Sequence, residues 1–121
     1  KLFVEDIDNP FMAHIHLAPA GVNGKIVVWL FPSTAPTPGP ASIGPVDGLL
    51  AEGTFTAADF VGPLKGGTLA QLLDAIRADT AYVNVHTSNP TLPAGPGNFP
   101  GGEIRGQLGV HHGEDEGEEK E

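Results

Sequence analysis

Residues 12–17 read MAHIHL, a short apolar run that carries two of the five histidines in the sequence. The run alternates, which predicts a β-strand with His14 and His16 on one face and Ala13, Ile15 and Leu17 on the other. Two imidazoles on one face provide half of a metal site. They are equally typical of hydrogen-bonded polar residues on a solvated sheet face, and this run alone leaves both interpretations open.

Short strands between glycine and proline turns account for most of the chain. The 17 glycines and 12 prolines are spread along the sequence without a repeat, which is typical of an all-β domain. Runs rich in β-branched or aromatic residues predict six strands: Leu2–Asp6, Phe11–Leu17, Lys25–Phe31, Leu49–Thr54, Ala81–His86 and Glu103–Val110. The third, KIVVWLF, is apolar on both faces, so we expect it in the sandwich interior or beneath a loop. Residues 32–45, PSTAPTPGPASIGP, predict a surface loop.

One helix is predicted between the fourth and fifth strands. Thr68 and Gln71 have the spacing of a capping box, and apolar side chains follow at helical spacing on one face: Leu69, Leu72, Leu73 and Ile76. A second cap-like run, which begins at Thr56, predicts a short helical turn. We therefore expect one crossover helix packed on a β-sandwich.

The composition excludes several classes of function. The sequence has no cysteine, so disulfides, thiolate metal sites and cysteine nucleophiles are ruled out, and imidazole and carboxylate remain as strong metal ligands. The net charge is -9, and no basic patch is present, which argues against nucleic-acid binding. No apolar run has membrane-spanning length. Residues 111–121, HHGEDEGEEKE, carry about half of the net charge and nothing apolar, which predicts a disordered acidic tail.

A third histidine completes a possible ligand set. In AYVNVHTSNP, residues 81–90, alternation places Tyr82, Asn84 and His86 on one face of a strand. A single histidine at a strand end is ordinarily a hydrogen-bonded residue. Beside the strand of the MAHIHL run, however, it completes a set of three imidazoles that suits copper or zinc.

No catalytic residue is predicted. No serine or threonine stands in a nucleophile-elbow setting, and the glycine-rich GPGNFPGG, residues 95–102, lacks the strand-to-helix setting of a phosphate-binding loop. Glu103 and Arg105 share a strand face, which favours a structural ion pair between them or with charges on a neighbouring strand.

Three blocks of the sequence together resemble the CHRD domain, the chordin-type module of secreted bacterial and archaeal proteins. They read AHIHLAPAGVNGKIVVWLF at residues 13–31, GTFTAADFVGPLKGGTLAQLLDAI at 53–76, and AYVNVHTSNP with FPGGEIRGQL within 81–108. The resemblance covers nearly all of residues 1–110. It implies an extracellular, all-β Greek-key β-sandwich, immunoglobulin-like or superoxide-dismutase-like, with one short crossover helix.

The histidine blocks of the family are remotely similar to those of copper-zinc superoxide dismutases. The residues that carry this similarity here are His14, His16 and His86, and the resemblance implies that they bind copper or zinc. The dismutases' bridging histidine, zinc-loop ligands, disulfide and active-site arginine have no recognisable counterpart in this sequence. Family members usually begin with two further strands that this sequence lacks. We therefore expect exposed strand edges that pair with a strand from another segment or a neighbouring subunit.

Three functions are compatible with these features. The first is a secreted or cell-surface module that binds a transition metal, copper before zinc, through the three histidines. The second is a structural subunit of a surface layer or filament, which self-associates because a neighbouring strand completes each subunit. The third is a copper-dependent, dismutase-like oxidoreductase. None of the three is expected to bind nucleic acid or to span a membrane.

Overall fold

The computed structural model describes residues 1–32 and 37–110, so the predicted tail and part of the predicted 32–45 loop lie outside the described residues. Within these ranges the chain forms six strands and one α-helix: β1 (Leu2–Asp8), β2 (Pro10–Leu17), β3 (Lys25–Phe31), β4 (Pro45–Ala51), α1 (Leu69–Arg77), β5 (Tyr82–Thr87) and β6 (Ile104–Gln107). Two single-turn 3₁₀ helices precede α1, at Ala57–Asp59 and Gly62–Leu64.

The strands form two antiparallel sheets that pack face to face. One sheet has the order β1–β4, and the other has the order β3–β2–β5–β6. Val4 and Ile7 of the first sheet share a buried cluster with Ala13 and Val85 of the second. Because apolar faces of two sheets enclose this core, the predicted all-β sandwich is confirmed.

A second buried cluster joins the four-stranded sheet to α1. Leu72, which is 2 % exposed, packs there with Ile15 and Val27. The helix begins with the predicted capping box, in which the Thr68 hydroxyl accepts from the Gln71 N–H and the Gln71 side chain accepts from the Thr68 N–H. The predicted crossover helix is therefore confirmed. Leu72 and Ile76 pack against the sheet, whereas Leu69 and Leu73, predicted on the same face, are exposed.

The apolar strand β3 lies at one edge of the four-stranded sheet, beneath a covering segment. The Val61 N–H donates to the Val27 carbonyl at 2.9 Å. Gly62, with φ of +59°, lies so close to the Ile26 carbonyl that a Cβ atom would clash with it. Of the two expectations for KIVVWLF, a loop-covered strand is the one observed.

The bounds of β4 and β6 differ most from the prediction, and those of β1, β2 and β5 differ by one or two residues. β4 spans Pro45–Ala51 rather than Leu49–Thr54, because its pairing with β1 continues to the Asp8–Pro45 pair. Proline is tolerated at the first position of a strand, so it does not stop this ladder. β6 is also shorter than the predicted Glu103–Val110.

The pairing of β2 with β5 decides which side chains share the outer face of the four-stranded sheet. The register places three pairs of residues opposite one another on that face: Met12 with His86, His14 with Asn84, and His16 with Tyr82. The residues between them, such as Ile15 and Val85, belong to the buried clusters on the inner face. The predicted alternation of both strands is therefore confirmed.

Candidate metal centre

His14, His16 and His86 come together on the outer face of the four-stranded sheet. They are 1 %, 7 % and 8 % exposed, respectively. One ring nitrogen of each lies within 4.8 Å of a ring nitrogen of the others, and the ring centroids are 5.1 to 6.1 Å apart. The structure thus brings all three predicted site residues into one buried cluster.

Backbone carbonyls fix the tautomers of two of these rings. His16 Nδ1 lies 2.9 Å from the Gly24 carbonyl oxygen, and His86 Nδ1 lies 2.8 Å from the Pro100 carbonyl oxygen. A carbonyl can only accept, so each Nδ1 carries the proton and donates it. The Nε2 atoms of both rings are left with the lone pair, which is the form that binds a metal.

The third ring, that of His14, places its Nδ1 beside the lone pair on the Nε2 of His86. His14 Nδ1 lies 3.3 Å from His86 Nε2. Two nitrogen ligands of a tetrahedral zinc ion with Zn–N distances of about 2.0–2.1 Å are about 3.3 Å apart, so this separation fits either a long hydrogen bond or a shared ion. The Nε2 atoms of His14 and His16 are buried without a hydrogen-bond partner. The Nε2 of His16 carries a lone pair without a partner, which is rare for a buried nitrogen, so the three rings together fit a transition metal ion.

Burial keeps the three imidazoles neutral. Desolvation, helped by the neighbouring His86 and His16, lowers the pKa of His14 from 6.5 to about 3. Desolvation also lowers the pKa values of His16 and His86, although the bonds to the Gly24 and Pro100 carbonyls act in the opposite direction. Neutral imidazole is the ligating form, so the cluster is ready to bind a metal without first losing protons at neutral pH.

Aromatic side chains support the cluster from two sides. The Trp29 ring meets the His14 ring edge-on, with 4.2 Å between centroids, and the Tyr82 ring stacks on His16 at 4.9 Å and 9°. The Arg105 guanidinium lies 3.4 Å from the centroid of the Tyr82 ring, and its charge lowers the pKa of His16 further. The sequence placed Tyr82 on the histidine face but predicted no contact for it or for Trp29.

Among residues 1–32 and 37–110, Glu103 and Arg105 form no ion pair, so the prediction of one is wrong there. Glu103 precedes β6, and its carboxylate accepts from the Thr87 hydroxyl at 2.8 Å and the Gly97 N–H at 2.9 Å. Arg105 donates instead to the Val22 carbonyl, at 2.9 Å, in the loop between β2 and β3. Glu103 therefore fixes the loop between β5 and β6, and Arg105 fixes the loop between β2 and β3. Both loops lie near the histidines.

Comparison with known families agrees with the fold. The family model for the CHRD domain matches residues 1–108. The chain belongs to the CHRD domain family. No curated protein and no solved structure matches it. CHRD domains occur in secreted proteins, and within residues 1–32 and 37–110 no helix has the length and apolar character needed to cross a membrane.

The loop between β2 and β3 of this CHRD domain carries a glycine that the histidine cluster requires. Gly24 accepts through its carbonyl from His16 and donates through its N–H to the Tyr82 hydroxyl at 2.9 Å. A Cβ atom at this position would clash with the carbonyl of Leu17. Only glycine therefore lets the loop come close enough to fix both rings.

Proposed function

We propose that this CHRD domain is an extracellular module that binds a transition metal ion, copper before zinc, through His14, His16 and His86. The observation that carries the proposal is the buried cluster itself, whose ligand atoms lie within 4.8 Å of one another and whose rings stay neutral. Copper ranks above zinc for nitrogen ligands in the general order of metal affinities. Membership of a family found in secreted proteins supports the extracellular location.

The hydrogen bonds assign the donor atoms. His16 and His86 offer Nε2, because each Nδ1 is bonded to a carbonyl. If His14 donated from Nδ1 to His86, it would occupy the lone pair that His86 needs. His14 must therefore ligate through Nδ1 and keep its proton on Nε2.

Metal titration of the purified protein tests this proposal. Calorimetry with zinc and with copper(II) is expected to give one ion per chain for the wild type, and His14→Ala is expected to abolish stoichiometric binding. The matched control is the double variant His111→Ala and His112→Ala, which removes the two histidines outside the described residues. Unchanged binding by His14→Ala, together with loss of binding in the control, would contradict the proposed site.

A second candidate function rests on the open side of the sandwich. Within the described ranges β1 pairs only with β4, so one of its edges has no partner there. A cavity beside that edge is lined by apolar side chains of both sheets, among them Val4, Val83, Val85 and Ile104. Ile104 is 44 % exposed and Phe3 is 64 % exposed. An apolar strand edge of this kind favours pairing with another strand.

We propose accordingly that a strand from a neighbouring copy adds to β1 and covers this cavity, so that copies associate into a filament or surface layer. Light scattering across a dilution series is expected to show association of the wild type, and Ile104→Lys is expected to reduce it. Leu92→Lys, at another exposed apolar position (42 %), is the matched control. A wild-type protein that stays a cooperatively melting monomer at all concentrations would contradict this candidate.

A further inference from the structure

Met12 lies beside the histidine cluster and outside both buried apolar clusters. It is the only methionine of the sequence, and the register of β2 with β5 places it directly opposite His86. Directly opposed residues of antiparallel strands have Cβ atoms about 4.5–5.5 Å apart. Met12 is also two residues before His14 on the same strand, so it neighbours two of the three histidines on one face.

The Met12 side chain is not part of the core. Among the described residues, both buried clusters and the side chains packed against them are formed by other residues. Met12 is half-buried, on the face where His14 is 1 % exposed. An unbranched thioether with three rotatable bonds can turn toward the histidine nitrogens from this position.

The chemistry of a thioether differs from that of the imidazoles around it. Imidazole suits zinc, copper(II) and copper(I), whereas a soft thioether favours copper(I). We infer that Met12 is a fourth ligand of the site and selects copper(I), an inference that rests on the proposed function. The site then has three nitrogen ligands and one sulfur ligand. The sulfur strengthens the binding of copper(I), whereas zinc is bound by the histidines alone.

Met12→Leu tests the inference, because it removes the sulfur while nearly conserving the side-chain volume. Copper(I) affinity is measured anaerobically by competition with bicinchoninate, and zinc affinity is measured by competition with a fluorescent chelator. We expect copper(I) affinity to fall by about tenfold or more while zinc affinity stays within about twofold, since only the soft ion depends on sulfur. A tenfold loss for copper(I) alone lowers the potential of the copper couple by about 59 mV.

A direct measurement complements the affinities. In selenomethionine-labelled protein loaded with copper(I), selenium-edge absorption is expected to show a copper neighbour, and the labelled wild-type protein without copper provides the background. A selenium spectrum without copper, or Met12→Leu with unchanged copper(I) affinity, overturns the role of Met12. The histidine site stands in that case if His14→Ala has lost zinc. A wild-type protein that binds neither zinc nor copper overturns both the site and the role of Met12.

Discussion

The metal-free protein is expected to lose stability as the pH falls below 6.5, with His14 as the main cause. The pKa of His14 is about 3 in the folded protein, against the ordinary 6.5 in the unfolded chain. Between these values the unfolded chain binds a proton at His14 that the folded protein does not, so acid favours unfolding. The contribution of neutral His14 is therefore complete above pH 6.5 and is lost progressively as the pH approaches 3.

The size of the effect follows from the pKa difference. One pKa unit corresponds to about 1.36 kcal/mol, so at pH 5.0, about 1.5 units below 6.5, His14 lowers the free energy of unfolding by about 2 kcal/mol. His14 is 1 % exposed, so solvent screens this effect little. The lowered pKa values of His16 and His86 act in the same direction. For a domain of this size, 2 kcal/mol shifts a urea midpoint by about 1 M.

Urea unfolding followed by circular dichroism measures this loss. Midpoints are compared at pH 7.5 and pH 5.0, with a chelator present, for the wild type and for His14→Gln, which cannot titrate. The variant is expected to lose about 2 kcal/mol less than the wild type between the two pH values. The His111→Ala and His112→Ala double variant should lose as much as the wild type.

The same experiment can refute the reasoning. Equal midpoints of the wild type at both pH values would show that its histidines are not held neutral by burial. A pH dependence of His14→Gln equal to that of the wild type would remove His14 as the cause. If His14→Gln does not fold, ring-proton NMR of the wild type decides instead, since titration of His14 near pH 6.5 would also refute the assignment.

Three further substitutions test the supports of the site and the core. Tyr82→Phe removes the acceptor of the Gly24 N–H, and is expected to weaken zinc binding by about tenfold in chelator competition. Gly24→Ala forces the loop away from Leu17, and is expected to lower the free energy of unfolding by about 1 kcal/mol or more and to weaken zinc binding, because His16 loses its carbonyl acceptor. Leu72→Ala is expected to cost about 2–5 kcal/mol in urea unfolding, because its side chain is buried against the sheet.

Local patterns predicted the elements whose signals lie within one segment. β3 has the predicted bounds Lys25–Phe31, and α1 begins after the capping box at Thr68. β4 was misplaced because its start depends on β1, whose pairing at Asp8 extends the ladder to Pro45. A proline at the end of a proline-rich loop predicts no strand by itself, so this boundary is decided only by tertiary pairing.

The three histidines of the candidate site were predictable, because their spacing along the strands determines which face they occupy. Alternation placed His14 and His16 on one face, and His86 needed only a neighbouring strand. The carbonyls of Gly24 and Pro100, which fix two of the tautomers, have no side-chain signature, so no sequence pattern identifies them. Stacking of a residue such as Tyr82 likewise depends on the register between strands.

The cost of the buried histidines explains how metal binding and stability are linked. Two of the three neutral rings have an orphaned Nε2. The three histidines destabilise the metal-free fold in acid, and His14 by itself contributes about 2 kcal/mol at pH 5.0. An ion that binds only the folded protein adds about 2.7 kcal/mol when its free concentration is 100 times the dissociation constant. The two effects are similar in size and opposite in sign. Protons compete for the folded site only at its lowered pKa values, so zinc is expected to add about the same stability at pH 7.5 and at pH 5.0. The acid loss between these pH values persists in the zinc-loaded protein, because it comes from protonation of the unfolded chain. Urea midpoints with and without saturating zinc at both pH values measure this, and a zinc stabilisation that disappears at pH 5.0 would show that the folded histidines are not held neutral at that pH.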